Sequence, residues 1–183
     1  EASMILAMPC GLKLLQTSFE MRPSVQTTPL RGGGGLSIDF APARWAAEFA
    51  TPAALRRAAI DPIAALVDSL RGGLVRIEVS DWLRKWPRAT GKSTVLLVRA
   101  GGGAFDGDAA VTDLAAREIS LAGLPPAFAL SEGDMIGLRE GDTRSLHRLA
   151  APVVASLGGL ATVTVEPAVP LARFSAPSAR LVA

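Results

Sequence analysis

The single histidine is the residue best suited to chemistry. His147 lies two positions after Ser145, so on an extended strand both side chains would face the same side. A serine beside a histidine could act as a nucleophile with its general base. No G-x-S-x-G elbow surrounds Ser145, and that elbow is the usual signature of such a serine. We therefore interpret His147 as a histidine on a strand face and predict no catalytic residue.

A second candidate is the sequence Gly91-Lys92-Ser93-Thr94, which has the ending of a phosphate-binding loop. That motif requires a glycine five positions before Gly91, where Trp86 stands, followed by Pro87. We favour a turn in which Gly91 supplies an unusual backbone dihedral. No nucleotide cofactor is predicted.

Three aspartates in a glycine-rich segment could supply oxygen ligands for calcium. They are Asp106, Asp108 and Asp113. EF-hand spacing would also require an oxygen ligand at 110 and a glutamate at 117, where Ala110 and Arg117 stand. The sequence therefore predicts a solvated loop, with no metal and no cofactor site.

Composition narrows the classes of function further. Aromatic residues are 5% of the chain and tyrosine is absent, which disfavours sugar sites and single-strand nucleic-acid platforms built on stacking. The net charge is +2, and the basic residues form no run that would indicate nucleic-acid binding. Hydrophobic residues make up 49% of the chain, which favours a packed fold over disorder.

Cysteine content and apolar runs also argue against disulfides, thiolate zinc sites, a signal peptide and membrane spans. Cys10 is the one cysteine, so it can form neither an internal disulfide nor a thiolate zinc cluster. The apolar segment 4–8 lacks a basic region before it and is followed by Pro9, so no signal peptide is predicted. No apolar run approaches the length of a membrane span, and none is predicted.

The first secondary-structure elements predicted along the chain are strands. Weak extended patterns at 12–19 and 24–30 precede a glycine run at 32–35, which predicts a turn. Residues 36–40 alternate apolar and polar side chains and predict a half-buried strand. The segment 44–50 continues the strand pattern, and we expect it to pair with 36–40.

One helix is predicted after these strands. Thr51 is a suitable N-cap and Pro52 a suitable first helical residue. Pro62 would kink the helix or divide it in two, with Asp61 capping the second part. The helix is expected to end at Gly72-Gly73. Its apolar stripe, interpreted as core packing and secondarily as a subunit surface, consists of Leu55, Ala58, Ala59, Ile63, Leu66, Val67 and Leu70.

The remainder is predicted to be rich in strands. A strand at 74–79 follows the helix, and the mixed tract at 82–116 is interpreted as an inserted loop or long hairpin with a short strand at 95–98. Further strands are predicted at 118–121, 134–139, 145–149 and 161–165. The predicted fold class is α+β, mainly β.

Several short motifs occur in an informative order. Ala43-Arg44-Trp45-Ala46-Ala47 precedes a helix end at 66–72 and a strand at 75–79, and Gly133-Asp134 later introduces a core strand. The segments 146–149 and 159–167 follow. In this order the motifs resemble the distal tail and minor tail proteins of long-tailed bacteriophages, the siphophages. The resemblance covers about 25–183.

The resemblance implies one tail-tube-like domain over 1–183, with an N-terminal arm at about 1–24 and the insertion at about 82–116. It implies a β-sandwich or split barrel with one flanking, kinked helix. The implied function is structural and non-enzymatic: a homohexameric baseplate ring at the distal end of the tail. The implied partners are the tail tube protein, the hub and baseplate proteins, the tape measure protein, and DNA that passes through the lumen. The protein would be made in the host cytoplasm and located in the virion.

Two alternatives stay open. A receptor- or carbohydrate-binding β module of a tail tip would bind sugar saturably as an isolated monomer. A tail-tip hydrolase would require an activity that depends on His147.

Overall fold

The computed structural model describes residues 5–8, 15–39, 43–52, 56–79, 86–90 and 97–181. The helix α1 spans Arg57–Ser69, and short 3-10 turns span Arg71–Gly73, Arg88–Thr90 and Leu171–Arg173. The strands are β1 Ile5–Ala7, β2 Gln16–Arg22, β3 Val25–Pro29, β4 Gly35–Asp39, β5 Arg44–Ala50, β6 Arg76–Glu78, β7 Asp108–Leu114, β8 Glu118–Ala122, β9 Ala129–Leu130, β10 Met135–Glu140, β11 Thr143–Leu149, β12 Val153–Val154, β13 Ala161–Glu166 and β14 Ser178–Arg180.

The predicted fold class is confirmed. Strands account for 45% and helices for 14% of the structure, so the chain is α+β and mainly β. The four strands predicted between 118 and 165 are present as β8, β10, β11 and β13.

The sequence predicts one domain over 1–183, and the structure divides the chain into two compact units. One unit comprises Glu1–Phe19 and Ala47–Leu83, and the other comprises Glu20–Ala46 and Arg84–Ala183. Strands β2 and β5 pair with each other, and each has residues in both units. In the first unit β1 pairs in parallel with β6.

Six strands of the second unit close into a barrel in the order β10-β11-β13-β8-β7-β14, and every neighbouring pair is antiparallel. Side chains alternate between the two faces of a strand, so Ile119 and Leu121 point inward from β8 while Val163 and Val165 point inward from β13. All four are buried in one core cluster. Burial of each such side chain stabilises the fold by about 1.5–3 kcal/mol. The barrel is therefore the main source of stability in this unit.

The pairing predicted for the strand at 36–40 is wrong. Strand β4 pairs with β3 and not with β5. The glycine run forms the connecting turn, and Gly33 and Gly34 have φ of 75° and 130°. Because glycine adopts such angles without strain, the chain reverses tightly there and pairs β4 with its neighbour in sequence.

The helix begins later than predicted. It starts at Arg57, and Arg56 occupies the N-cap without a side-chain capping hydrogen bond. Thr51 and Pro52 lie before the helix, and Leu55 lies outside the described residues. The capping pattern was a local signal, and the surrounding structure overrides such propensities.

Pro62 lies inside one continuous helix, so the prediction of two helices with Asp61 as a cap is wrong. The proline is in the second turn, where its missing N–H removes a single bond near the helix N-terminus. The predicted end is confirmed: α1 ends at Ser69, and Gly72 and Gly73 follow with φ of 66° and 99°.

The tract predicted as an insertion supplies part of the barrel. Its residues 108–114 form β7, which pairs with both β8 and β14. Val98 and Ala104 form an isolated bridge across a glycine turn. The predicted strand at 95–98 extends outside the described residues. The predicted arm at about 1–24 contains β1 and β2.

Asp134 is a buried carboxylate that fixes the turn before β10. Its Oδ2 accepts a hydrogen bond from the backbone N–H of Ser131 at 2.8 Å, and its Oδ1 accepts one from the backbone N–H of Arg88 at 3.0 Å. The carboxylate therefore attaches the segment 86–90 to the barrel.

We expect the Asp134→Asn variant to lower the free energy of unfolding by about 2 kcal/mol. The amide would turn an NH₂ group toward one of the two backbone N–H groups, which would then lose its carboxylate acceptor. Urea unfolding measures the change. Glu132→Gln alters an exposed carboxylate of the same turn and should change stability by less than about 0.5 kcal/mol. Equal effects of the two substitutions would contradict the role of Asp134.

Candidate functional site

The candidate site is the seam between β11 and β13. Strand β11 pairs with β10 from Thr143 to Arg148, but it pairs with β13 only through Arg148 and Leu149. In the described part of the chain, β13 therefore does not pair with residues 143–147 of β11. Side chains provide the bonds across this seam.

His147 provides one of these bonds. Its Nδ1 lies 2.7 Å from the carbonyl oxygen of Pro167, just beyond β13, and its Nε2 lies 2.7 Å from the Oγ of Ser145. A carbonyl oxygen can only accept, so Nδ1 carries the proton in the neutral ring. Nε2 is then the acceptor, and Ser145 donates to it. The prediction that Ser145 and His147 share a strand face is confirmed.

Burial keeps this imidazole neutral. The side chain of His147 is 0% exposed, and removal from water lowers its pKa below the ordinary value of 6.5, although the bond to the Pro167 carbonyl raises it in part. Burial penalises the charged form of the ring. The imidazole is therefore uncharged at neutral pH.

Serine, histidine and a carbonyl acceptor are the parts from which a nucleophilic site could be built. Here Ser145 and His147 stand opposite Leu138 and Ile136 of β10, and both of these partners are buried in the barrel core. Ser145 itself is partly exposed, whereas His147 is fully buried. The arrangement therefore satisfies the hydrogen bonds of both side chains.

Trp45 provides the second bond at the seam. Its Nε1 donates to the carbonyl oxygen of Leu146 at 2.6 Å, across 101 positions of sequence. The backbone N–H of Ala150 reaches Thr164 on β13, and alternate residues of a strand direct their backbone groups to the same side. The carbonyl of Leu146 therefore points to the side where β13 is missing, and the indole takes the place of a strand donor.

The indole ring of Trp45 is also covered by a cation. The guanidinium carbon of Arg148 lies 5.0 Å from the ring centroid, within the range of a cation–π interaction. The sequence motif located Trp45, but it gave no signal for Leu146 or Arg148 as its partners. Only the fold brings them together.

A cleft of about 580 Å³ lies beside the seam. Arg88 and Arg148 line it together with Glu132 and Glu166, and Met21 of β2 contributes an apolar wall. The carboxylate of Glu166 is 2.6 Å from a guanidinium nitrogen of Arg117. Two cations and two anions leave the lining without a strong preference for one sign of charge.

Of the three aspartates predicted to lie in a solvated loop, Asp108 and Asp113 lie on β7, and only Asp106 precedes the strand. The Oδ1 of Asp106 accepts the backbone N–H of Asp108 at 3.0 Å and a guanidinium N–H of Arg99 at 2.6 Å, and these donors lower the pKa of Asp106 from 3.8. Asp108 pairs with Arg180 at 3.3 Å. Across the described ranges, no group of three or more potential ligands could hold a metal ion. Cys10 and Gly91-Lys92-Ser93-Thr94 lie outside those ranges.

The hairpin of β3 and β4 and the helix α1 both carry exposed residues. Residues 20–38 are all exposed, and Leu36 and Ile38 are 52% and 47% exposed, so they do not form the buried face of the half-buried strand that the sequence predicts. No residue of α1 is fully buried. In its predicted stripe Ala59, Ile63 and Leu66 are half-buried whereas Ala58 and Val67 are exposed, so the core-packing interpretation fits only part of the stripe. Phe40 lies outside the described residues.

Neither a family model nor a curated protein matches this chain. Within the described residues, no helix has the length and apolar character needed to cross a membrane.

Proposed function

We propose that this chain is a structural, non-enzymatic subunit of a bacteriophage tail that assembles as a ring at the distal end of the tail. The ring joins the tail tube to the hub and baseplate proteins and surrounds the DNA passage. The ordered motifs around Trp45, the helix end at 66–72 and Gly133-Asp134 support this proposal. The structural observation that carries it is the uncovered surface of the N-terminal elements.

The hairpin of β3 and β4 is the clearest part of that surface. A two-stranded hairpin is marginally stable in water unless another surface covers one face. Leu36 and Ile38 lie on the same face of β4 because side chains alternate, and both are about half exposed. A neighbouring subunit that covers this face would remove apolar area from water and stabilise the hairpin.

The helix adds a second uncovered surface. Ile60 and Val67 are exposed on α1, and they are seven positions apart, so they share one face of the helix. Leu74 follows in the turn after the helix and is more exposed than either. Exposed apolar surfaces of this kind mark sites of association, as expected for a subunit whose stability depends on its assembly.

The packed interior of the barrel limits where DNA could pass. Its interior is filled by buried side chains such as Ile119, Ile136 and Val163, as in other barrels of few strands. A single subunit therefore offers no passage through its barrel, and several copies have to enclose the lumen between them. Six copies are proposed from the phage resemblance, with the tape measure protein as a further contact. The assembled protein belongs to the virion and is made in the host cytoplasm.

Assembly is tested directly with the purified chain. Light scattering should give a mass several times the 18.9 kDa of one chain, and electron microscopy should show rings. Antibody labelling should place the protein at the distal end of virion tails. A monomer at every concentration, with no rings and no protein in virions, would refute the proposal.

We expect Ile38→Asp to abolish ring formation, because a carboxylate on the exposed face of β4 cannot be buried without a partner charge. The stability of the folded monomer should change by less than about 0.5 kcal/mol, since the residue is exposed. Leu171→Asp is the matched control: Leu171 is similarly exposed but lies in the 3-10 turn before β14. Rings that form normally with Ile38→Asp would show that the hairpin is not the assembly surface.

A further inference from the structure

A second cleft, of about 540 Å³, lies on the outer face of the barrel beside β7, β10, β11 and β14. Leu138 and Ala179 are buried in the core, so their neighbours Arg139 and Ser178 face outward, because side chains alternate along a strand. Arg139 and Ser178 stand opposite each other on β10 and β14, and both line the cleft. Small-molecule sites have volumes of roughly 300–1,000 Å³, and this cleft lies within that range.

Two arginines stand opposite each other at this cleft. Arg139 of β10 and Arg144 of β11 form a cross-strand pair, and both are exposed and line the cleft. Side chains directly opposite on paired strands have Cβ atoms about 4.5–5.5 Å apart, and like charges in these positions destabilise the pair. An anion between the two guanidinium groups would replace their repulsion with two attractions.

The carboxylate that lines the cleft is bound to the loop before β14. Glu140 accepts hydrogen bonds from the backbone N–H groups of Ser175 at 2.7 Å and Ala176 at 3.1 Å, and from the Ser175 hydroxyl. These bonds fix the loop, and Ala176 and Pro177 form an apolar wall of the cleft. The cleft thus combines two cationic groups with an apolar surface.

Each arginine of the pair can bind an anion besides the partners that it has. Asp108 lies 3.9 Å from a guanidinium nitrogen of Arg139 and 3.3 Å from one of Arg180, so two guanidinium groups share this carboxylate. Arg144 donates to the carbonyl oxygens of Gly141 and Thr143 and makes further interactions. A guanidinium group carries five N–H donors, so it serves several acceptors at once.

We propose that this cleft binds a small molecule through its phosphate group, with Arg139 and Arg144 on two sides of the phosphate and the apolar part of the molecule against Ala176 and Pro177. Arginine suits this role because its planar guanidinium group donates two parallel hydrogen bonds to phosphate oxygens. Nucleic acid is recognised by an extended basic stripe, whereas two arginines at one cleft suit a single phosphate group. The site is a property of one chain and does not depend on the proposed ring.

Isothermal titration calorimetry of the full chain tests the site with phenyl phosphate, inorganic phosphate and a short DNA duplex. The titrations are made at constant ionic strength and at about pH 7.5, where a phosphate monoester carries nearly two negative charges. We expect saturable binding of phenyl phosphate. Inorganic phosphate should bind more weakly, because it does not cover the apolar wall formed by Ala176 and Pro177.

Substitutions of the paired arginines locate the binding. Arg139→Gln and Arg144→Gln should each weaken the binding of phenyl phosphate about tenfold or more, as for the loss of hydrogen bonds to a charged group. Arg139→Lys keeps the charge but loses the two parallel bonds, so its affinity should lie between those of the parent protein and Arg139→Gln. Arg117→Gln is the matched control, since Arg117 is also exposed but pairs with Glu166 away from this cleft.

Several results would overturn the proposal: no saturable binding of phenyl phosphate, unchanged binding in both glutamine variants, or an equal loss in Arg117→Gln. Saturable binding of the DNA duplex alone would assign the two arginines to nucleic acid instead. Inorganic phosphate that binds as tightly as phenyl phosphate would overturn the role of the apolar wall. Urea unfolding shows whether each variant is folded, and if a glutamine variant is not, the decision rests on Arg139→Lys.

Discussion

Replacement of Gly159 by alanine is expected to lower the free energy of unfolding by about 3 kcal/mol or more. Gly159 is buried with φ of 72°, an angle that strains residues other than glycine. A Cβ at this position would lie 2.3 Å from the carbonyl oxygen of Leu124 and 2.8 Å from the Cβ of Ala100. The oxygen belongs to the backbone, so a side-chain rotation cannot relieve the clash.

The adjacent residue gives the control for this prediction. A Cβ on Gly158 would lie 3.7 Å from the Oγ of Ser156, at ordinary van der Waals distance. Gly158→Ala should therefore change stability by less than about 1 kcal/mol. Urea unfolding of both variants measures the difference. Similar values for the two would mean that the turn at 156–160 shifts to admit the methyl group of Gly159→Ala.

The second large effect is a loss of stability in mild acid that depends on His147. The pKa of His147 in the folded protein is lowered, chiefly by burial, so the unfolded chain binds a proton more readily. The stability that this group contributes is complete above pH 6.5 and is lost as the pH falls toward the lower, folded pKa. Within that window the free energy of unfolding should fall by up to about 1.4 kcal/mol per pH unit.

His147→Asn separates this effect from the other titrations. An asparagine can donate to the Pro167 carbonyl, as Nδ1 does, but it does not titrate. His147 is the one histidine of the chain, so the slope that begins below pH 6.5 should disappear in the variant. The pKa of Glu140 is lowered from 4.5 because the Ser175 hydroxyl and backbone N–H donate to it, so its contribution is lost at lower pH. Parallel slopes for the two proteins would refute the assignment to His147.

The barrel strands that sequence predicts well are those with large apolar residues at alternate positions. In β13 Val163 and Val165 alternate with threonines, and this pattern identifies both the strand and its inward face. The inward residues of β7 and β14 include Ala109 and Ala179, which are buried but too small to stand out among polar neighbours. Those strands are recognised only when the closed barrel is known.

At the seam between β11 and β13, the local sequence predicts one contact and gives no signal for two others. The period of two along a strand places Ser145 beside His147, and the structure confirms it. Pro167 is 20 positions from His147, and Trp45 is 101 positions from Leu146. No local pattern encodes such partners, because they depend on the path of the whole chain. For the same reason the sequence could not show which residues of the α1 stripe are half-buried, such as Ile63 and Leu66, and which are exposed, such as Val67.

Closure of the barrel has a consequence for the order of events during synthesis. Strand β14 pairs with β7 across 72 positions, between Arg180 and Asp108, and contacts so far apart form slowly because the intervening loop must close first. A growing chain contains β7 and β10 before Ser178 has been added, and each of these strands then has a bare edge. Such intermediates pair readily with other chains. A translation product that stops before Ser178 would keep both edges open, so it is expected to aggregate and to require chaperones.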